Sequence, residues 1–187
     1  MRIVLVPSSY EPFTGGVEEL TRNLAATLRD AGDQVEVWTG NPGLRGLPKK
    51  SETDGITVRR FDFFLPGANA LSLLQFPVRA SQTLVSLHRA VRQFRPNVLH
   101  VQCFGPNGAY MTALSLLASI PLIVTLQGET MMDDHDIFTK SLILRNALRA
   151  GICRAYAVTG CSQFTIDDAV ARSNLWLFAD SYPGYGG

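Results

Sequence analysis

Hydrophobic residues along this chain form two recurring patterns, short unbroken runs and longer stretches with helical spacing. The first run, Ile3 to Val6, is closed by Pro7 and predicts a strand buried on both faces of a parallel sheet. A loop follows, and the next apolar residues then recur at helical spacing up to Gly32, with charged residues between them: Val17, Leu20, Leu24, Leu28 and Ala31. Strand, loop and amphipathic helix make the first half of a βαβ unit.

The same alternation continues to the end of the chain. Further strands are predicted at 34–39, 56–61, 98–101, 122–126 and 155–158, and further helices at 71–94, 107–119, 142–151 and 163–172. Residues 41–54 are predicted to be a loop, and Pro77 is predicted to divide the helix at 71–94 into two pieces. We therefore expect an α/β fold: a doubly wound, mostly parallel, Rossmann-like sheet with helices on both faces.

One uncharged stretch raises the question of a membrane span. Residues 96–128 contain no Asp, Glu, Lys or Arg, and the apolar run at 109–126 is close to the length that crosses a bilayer. Pro121 interrupts this run, and the short β-branched segment after it is typical of a strand. A helix, a turn and a buried strand are therefore the favoured interpretation.

Charge and cysteine content narrow the possible partners. The net charge of +1 provides no long-range field for nucleic acid, so we expect none as a partner. The three cysteines are odd in number and lack metal-ligand spacing, which favours a reducing, cytoplasmic environment. Basic residues of the helix at 71–94 allow peripheral membrane contact through anionic lipid, although a solvated face explains them as well: Arg79, His88, Arg89, Arg92 and Arg95.

Candidate ligand-binding residues follow the predicted strands, because ligands of doubly wound sheets bind at the carboxyl ends of the strands. The pair Gly15-Gly16 allows backbone N–H groups to approach a ligand closely at the start of a helix, although a plain tight turn is the alternative. No dinucleotide fingerprint or P-loop is present. The acidic cluster at 133–136 looks like a metal site, but adjacent residues rarely converge on one ion, so no metal site is predicted.

Four segments together resemble the N-terminal domain of family 4 glycosyltransferases, which have the two-domain GT-B fold. The resemblance runs from Met1 to about Arg172, and the paired glycines are its most specific part. The segments are 1–4 with Pro12-Phe13-Thr14-Gly15-Gly16-Val17-Glu18, Arg95 to Val101, Pro121 to Glu129, and Ala155 to Ser162.

The resemblance implies a retaining transfer of sugar from a nucleotide-sugar to a hydroxyl of a sugar or lipid-linked acceptor, without an obligatory metal or other cofactor. It places Gly15, Gly16 and Val17 at the donor diphosphate and the acceptor. Sugar or acceptor contacts are implied for Gln127, Gly128 and Glu129, although a solvated loop carboxylate explains Glu129 as well. The strand order also allows rim contacts for Gln102 and Ser162, but capping of the last helix is the favoured role of Ser162. Many members have histidines where this chain has Gln102 and Gln127, which puts a histidine-dependent charge role in doubt, and no catalytic residue is assigned.

The resemblance covers only the acceptor side of the family. We expect a domain at 1–172, an atypical tail at 173–187, and no C-terminal nucleotide-sugar-binding domain. In the family, a pair of glutamates brackets the site in that domain, and no glutamate follows Glu129 in this chain. The chain is then incomplete as an enzyme, and another chain could supply the second domain. Two alternatives stay open: a non-catalytic sugar- or lipid-binding module, and an unrelated α/β enzyme that uses the loop from Gln127 to Glu129.

Overall fold

A computed structural model of the chain describes residues 1–67, 69–130 and 137–173. The strands are β1 (Arg2–Pro7), β2 (Gln34–Gly40), β3 (Lys50–Thr53), β4 (Ile56–Phe61), β5 (Val98–Gln102), β6 (Leu122–Leu126) and β7 (Ala157–Gly160). The helices are α1 (Gly16–Asp30), α2 (Ala70–Phe94), α3 (Pro106–Ala118), α4 (Ile137–Lys140), α5 (Leu142–Arg154) and α6 (Gln163–Arg172).

All seven strands form one sheet in the order β3-β4-β2-β1-β5-β6-β7. Every neighbouring pair is parallel except β3 and β4, which pair antiparallel. The chain moves outward from β1 in one direction through β2 and in the other through β5, β6 and β7. The predicted α/β class and the doubly wound, mostly parallel sheet are therefore confirmed.

The two faces of the sheet have separate hydrophobic cores, because alternate residues of each strand point to opposite sides. Val4 and Val6 of β1 belong to the larger core, to which the helices α2, α3 and α5 contribute. Ile3 and Leu5 belong to the smaller core, in which Ala25 of α1 is buried. Helices therefore lie on both faces, as the sequence predicts.

Two predictions about single elements are wrong. The segment 41–54 is not all loop, because β3 pairs with β4 through main-chain hydrogen bonds although its side chains show no hydrophobic alternation. Pro77 does not divide the long helix, since α2 runs unbroken from Ala70 to Phe94. A proline removes one backbone donor from a helix and bends it, but neighbouring turns can continue the helix on either side.

Smaller differences concern the ends of elements. The last strand lies two residues later than predicted, and α5 extends to Arg154 rather than ending near Gly151. The uncharged stretch folds as the helix α3, a turn and the strand β6. Within the described residues, no helix has both the length and the apolar character needed to cross a bilayer.

Candidate functional site

The direction of winding of the sheet reverses between β1 and β5, and we call the carboxyl edge of the sheet at this point the crevice. These strands are neighbours, but the helix that follows β1 packs on one face and the helix that follows β5 packs on the other. Such a point, where the direction of winding reverses, is where doubly wound sheets bind ligands. The backbone N–H of Ser8 donates to the carbonyl of Gln102 over 3.1 Å and joins the two loops at this crevice.

The loop after β1 ends at the glycine pair, which lies at the exposed N-terminus of α1. Gly15 is the N-cap residue, and no side chain caps the helix there. A Cβ atom on Gly15 would lie 2.7 Å from Glu18 Oε2, so the Glu18 carboxylate covers this residue. A Cβ on Gly16 would meet no atom of the described residues within 4 Å, so the space beside Gly16 is open as far as they are concerned. Free first-turn N–H groups beside open space suit a phosphate or a hydroxyl group.

The loop after β5 is held by a buried asparagine that sequence reasoning does not single out. Asn107 Nδ2 donates to the carbonyl of Val6 over 3.0 Å and to that of Cys103 over 3.1 Å. Its Oδ1 is buried and has no hydrogen-bond partner among the described residues, so one acceptor of this side chain is unused beneath the crevice. Burial, followed by the charge of Glu129, raises the pKa of Cys103 to about 12, so its thiol is protonated at neutral pH.

Phe104 anchors the same loop by its ring. The ring is 1% exposed and packs against two glycines, because a Cβ on Gly108 or on Gly151 would come within 2.5 Å of it. Only residues without a side chain can occupy these positions of α3 and α5 while the ring stays in place. The sequence signal for this contact is a glycine inside each of two predicted helices, where glycine is otherwise unfavourable.

Glu129 connects the loop after β5 with the loop after β6. Its Oε1 accepts the backbone N–H of Phe104 over 2.5 Å, and its Oε2 accepts that of Gln127 over 2.6 Å. Burial raises the pKa of Glu129, while these backbone donors oppose the rise because they stabilise the carboxylate. Gly128 has a φ of +95°, a conformation that favours glycine and lets the chain turn back on itself. The carboxylate therefore braces the loops of the crevice.

Polar side chains continue from this brace across the sheet. Gln102 is 1% exposed, and its Oε1 accepts Gln127 Nε2 over 3.4 Å. On its other side Gln102 Nε2 lies 3.0 Å from His100 Nε2, which is 2.7 Å from Thr125 Oγ1, and Thr125 in turn contacts Thr159. Burial lowers the pKa of His100 to about 4, so the imidazole is neutral at neutral pH. His100 therefore serves the sheet, since it lies in β5 and its hydrogen bonds stay within the sheet.

The structure brings most predicted site residues to one edge of the sheet. Gly15, Gly16 and Val17 follow β1, and Gln127, Gly128 and Glu129 follow β6. Gln102 lies beneath the rim rather than on it. Ser162 caps α6, where its Oγ accepts the backbone N–H of Thr165 over 3.2 Å.

The acidic cluster at 133–136 lies outside the described residues, as does the tail at 174–187. Within residues 1–67, 69–130 and 137–173, no three His, Cys, Asp or Glu side chains are grouped so that they could hold a metal ion.

Comparison with protein-family models decides the family. Residues 15–175 match the model of the glycosyl transferase 4-like domain. The chain belongs to this family. The matched range includes the glycine loop, both braced loops and all strands after β1. No curated protein sequence matches the chain.

Several solved structures of enzymes have a similar fold, among them a putative UDP-N-acetylglucosamine 2-epimerase of Listeria monocytogenes with a TM-score of 0.53 and 9% identity. The chain superimposes on Alr3699/HepE of Anabaena, solved in complex with UDP, with a TM-score of 0.61, 19% identity and 92% of this chain covered. The sucrose-phosphate synthase of Thermosynechococcus elongatus gives a TM-score of 0.59 with 14% identity and 84% of this chain covered. MurG of Acinetobacter baumannii gives a TM-score of 0.56 with 13% identity and 88% of this chain covered.

The glycosyl transferase 4-like chain spans 41% of Alr3699/HepE and of the sucrose-phosphate synthase, and 42% of MurG. Its fold is thus one Rossmann-like half of a GT-B fold. At these identities the likeness shows the fold alone.

Proposed function

We propose that this domain is the acceptor-binding half of a retaining glycosyltransferase that moves a sugar from a nucleotide-sugar donor to an acceptor hydroxyl. The observation that carries the proposal is the meeting of the glycine loop with the braced loops after β5 and β6 at one crevice, in a chain matched to the glycosyl transferase 4-like domain over residues 15–175. The nucleotide-sugar is a substrate in this proposal, and no resident metal or cofactor is required.

Each loop has a role in this proposal. The N–H groups of Gly15, Gly16 and Val17 would face the donor diphosphate, because the start of α1 supplies free donors and the space beside Gly16 is open. Gln127 would contact hydroxyl groups of the sugar or the acceptor, since its side chain can donate and accept hydrogen bonds. Glu129 would act through its neighbours as a positioning residue, because both of its oxygens already accept backbone N–H groups.

A second domain completes the proposed reaction. Similar structures are more than twice as long as this chain, which leaves room for a partner half that holds the nucleotide. We propose that this half faces the crevice from the opposite side, whether it belongs to the same polypeptide or to another. The 187-residue chain by itself is then expected to bind nucleotide weakly and to turn over no donor.

Amide chemical shifts of the 187-residue chain test this assignment. Titration with UDP should shift the resonances of Gly15, Gly16 and Val17 at lower UDP concentrations than those of other residues. Gly16→Ala should abolish these shifts without unfolding the protein, since the added methyl group enters open space. Gly67→Ala is the matched control, because its Cβ would meet only ordinary contacts at 3.8 and 3.9 Å. Shifts confined to another region, or an unchanged response of Gly16→Ala, would contradict the assignment.

Turnover measurements test the incomplete state of the site. The chain is incubated with UDP- and ADP-sugars, and released nucleoside diphosphate is measured. We expect no release. Strong nucleotide binding together with turnover by the lone chain would refute its role as half of a site.

A further inference from the structure

A second concave surface lies away from the crevice, between the β3–β4 hairpin and α2. This groove has a volume of about 390 Å³ and is lined by polar and charged residues. Six of its lining side chains are cationic: Lys49, Lys50, Arg59, Arg60, Arg79 and Arg89. The chain as a whole is nearly neutral, with a net charge of +1, so this concentration of positive charge is local.

Most of the positive charge in the groove is not neutralised. Asp62 is the single acidic residue among the lining, and it pairs with Arg79 over 2.7 Å. Arg59 pairs over 2.8 Å with Glu36, which lies behind the groove. The other four cations have no carboxylate partner among the residues that the structure describes, and Arg60 instead donates to Ser51 Oγ over 2.7 Å.

The outer face of α2 borders this groove, and it too is poor in acidic residues. The 25 residues of the helix include no Asp or Glu. Four apolar side chains on the outer face are half or more exposed, with Leu71 at 65%, Leu74 at 76%, Val78 at 59% and Val85 at 50%. Arg89 and Arg92 follow them at helical spacing on the same side. The face therefore changes from apolar at its start to cationic at its end.

We propose that this surface binds an anionic bilayer, with lipid phosphates in the basic groove and the apolar residues of α2 in the interfacial region. A soluble phosphate would use the cations but would leave the exposed apolar stripe uncovered. A bilayer of anionic lipid uses both, because interfacial helices combine buried apolar area with attraction to anionic headgroups. The proposal does not depend on glycosyl transfer, and vesicle binding measures it without any donor or acceptor.

Cosedimentation of the 187-residue chain with vesicles tests the proposal. We expect binding to vesicles of phosphatidylcholine that contain phosphatidylglycerol, and much less to phosphatidylcholine alone. Lys50→Gln combined with Arg89→Gln should weaken binding to the anionic vesicles about 25-fold, since each cation near such a surface contributes about fivefold. Both residues are exposed and form no ion pair within the part of the chain that the structure describes, so the fold should be retained.

A charge-matched control separates the groove from general attraction. Arg145→Glu changes the net charge by the same amount, but it lies on α5, which α3 separates from α2. This variant should bind as the wild type does, and a loss equal to that of the double variant would refute the groove. Unchanged binding of the double variant to anionic vesicles would also refute a role of the groove.

A second pair of measurements separates lipid from soluble phosphate. Leu74→Ser combined with Val78→Ser should weaken vesicle binding and leave the response to inorganic pyrophosphate unchanged, because both side chains are exposed and uncharged. Binding of pyrophosphate without binding of anionic vesicles would overturn the proposal, as would equal binding to neutral and anionic vesicles.

Discussion

Gly151→Ala probes the packing that fixes the loop after β5. In a helix interior, alanine is normally about 1 kcal/mol more favourable than glycine, so the substitution would ordinarily stabilise α5. Here the new Cβ would lie 2.5 Å from Phe104 Cε2, 3.0 Å from Phe104 Cζ and 3.0 Å from Thr112 Oγ1. Alanine therefore favours the helix but clashes with its neighbours, and the larger of these two free energies decides whether the variant is more or less stable.

The clash should exceed the helical gain. The Phe104 ring is 1% exposed and has little room to move, because Gly108 also packs against it and a Cβ there would lie 2.5 Å from Cδ2. Overpacking of a closed core costs up to about 3 kcal/mol, and subtraction of about 1 kcal/mol for the helix leaves a net loss of up to about 2 kcal/mol. The loss should extend to the site, since the backbone N–H of Phe104 binds Glu129.

Urea denaturation followed by circular dichroism measures this loss. Gly16→Ala is the matched control, because it adds the same methyl group to a helix where nothing lies within 4 Å, and it should be neutral or stabilising. Phe104→Leu should relieve the clash, so the double variant with Gly151→Ala should be more stable than the sum of the single effects predicts. If Gly151→Ala is as stable as Gly16→Ala, the ring is not held as described.

Three further predictions concern single side chains. The pKa of His100 is lowered to about 4, so its contribution to stability is present above pH 6.5 and is lost as the pH falls through 4. The free energy of unfolding, measured by urea titration, should fall between about pH 7 and pH 4 by up to about 3 kcal/mol more in the wild type than in His100→Gln. Glu129→Gln should lower the free energy of unfolding by about 1.5–3 kcal/mol, with exposed Glu52→Gln as control. Ser162→Ala should cost about 1 kcal/mol by thermal denaturation, whereas Ser86→Ala inside α2 should cost less.

The fold was largely predictable because its central strands are unbroken apolar runs. Ile3 to Val6 and Leu122 to Leu126 lie inside the sheet, where both faces of a strand are covered, so the local pattern and the final position agree. The strand β3 has no such pattern. Its signal lies in the turn instead: Asp54 and Gly55 both have positive φ, 52° and 74°, and this two-residue turn sets the register that pairs Thr53 with Ile56.

The position of the candidate loops was predictable, and their contacts were less so. The rule that ligands bind at the carboxyl ends of parallel strands places the loops after β1, β5 and β6 at one edge, and the structure agrees. Asn107 was not foreseen, because it reaches Val6, which is distant in sequence. The role of Glu129 as a brace was equally hidden, since its partners are backbone N–H groups, which no side-chain pattern reveals.

The position of Glu18 affects how any anion can reach the glycine loop. Its carboxylate covers Gly15 at the start of α1, so the positive end of this helix already has a negative group beside it. A phosphate that arrives there must displace this side chain, and binding becomes an exchange of one anion for another. The measured affinity is then the difference between two similar interactions, and neutralising Glu18 should strengthen nucleotide binding even though it removes a charge that favours the helix.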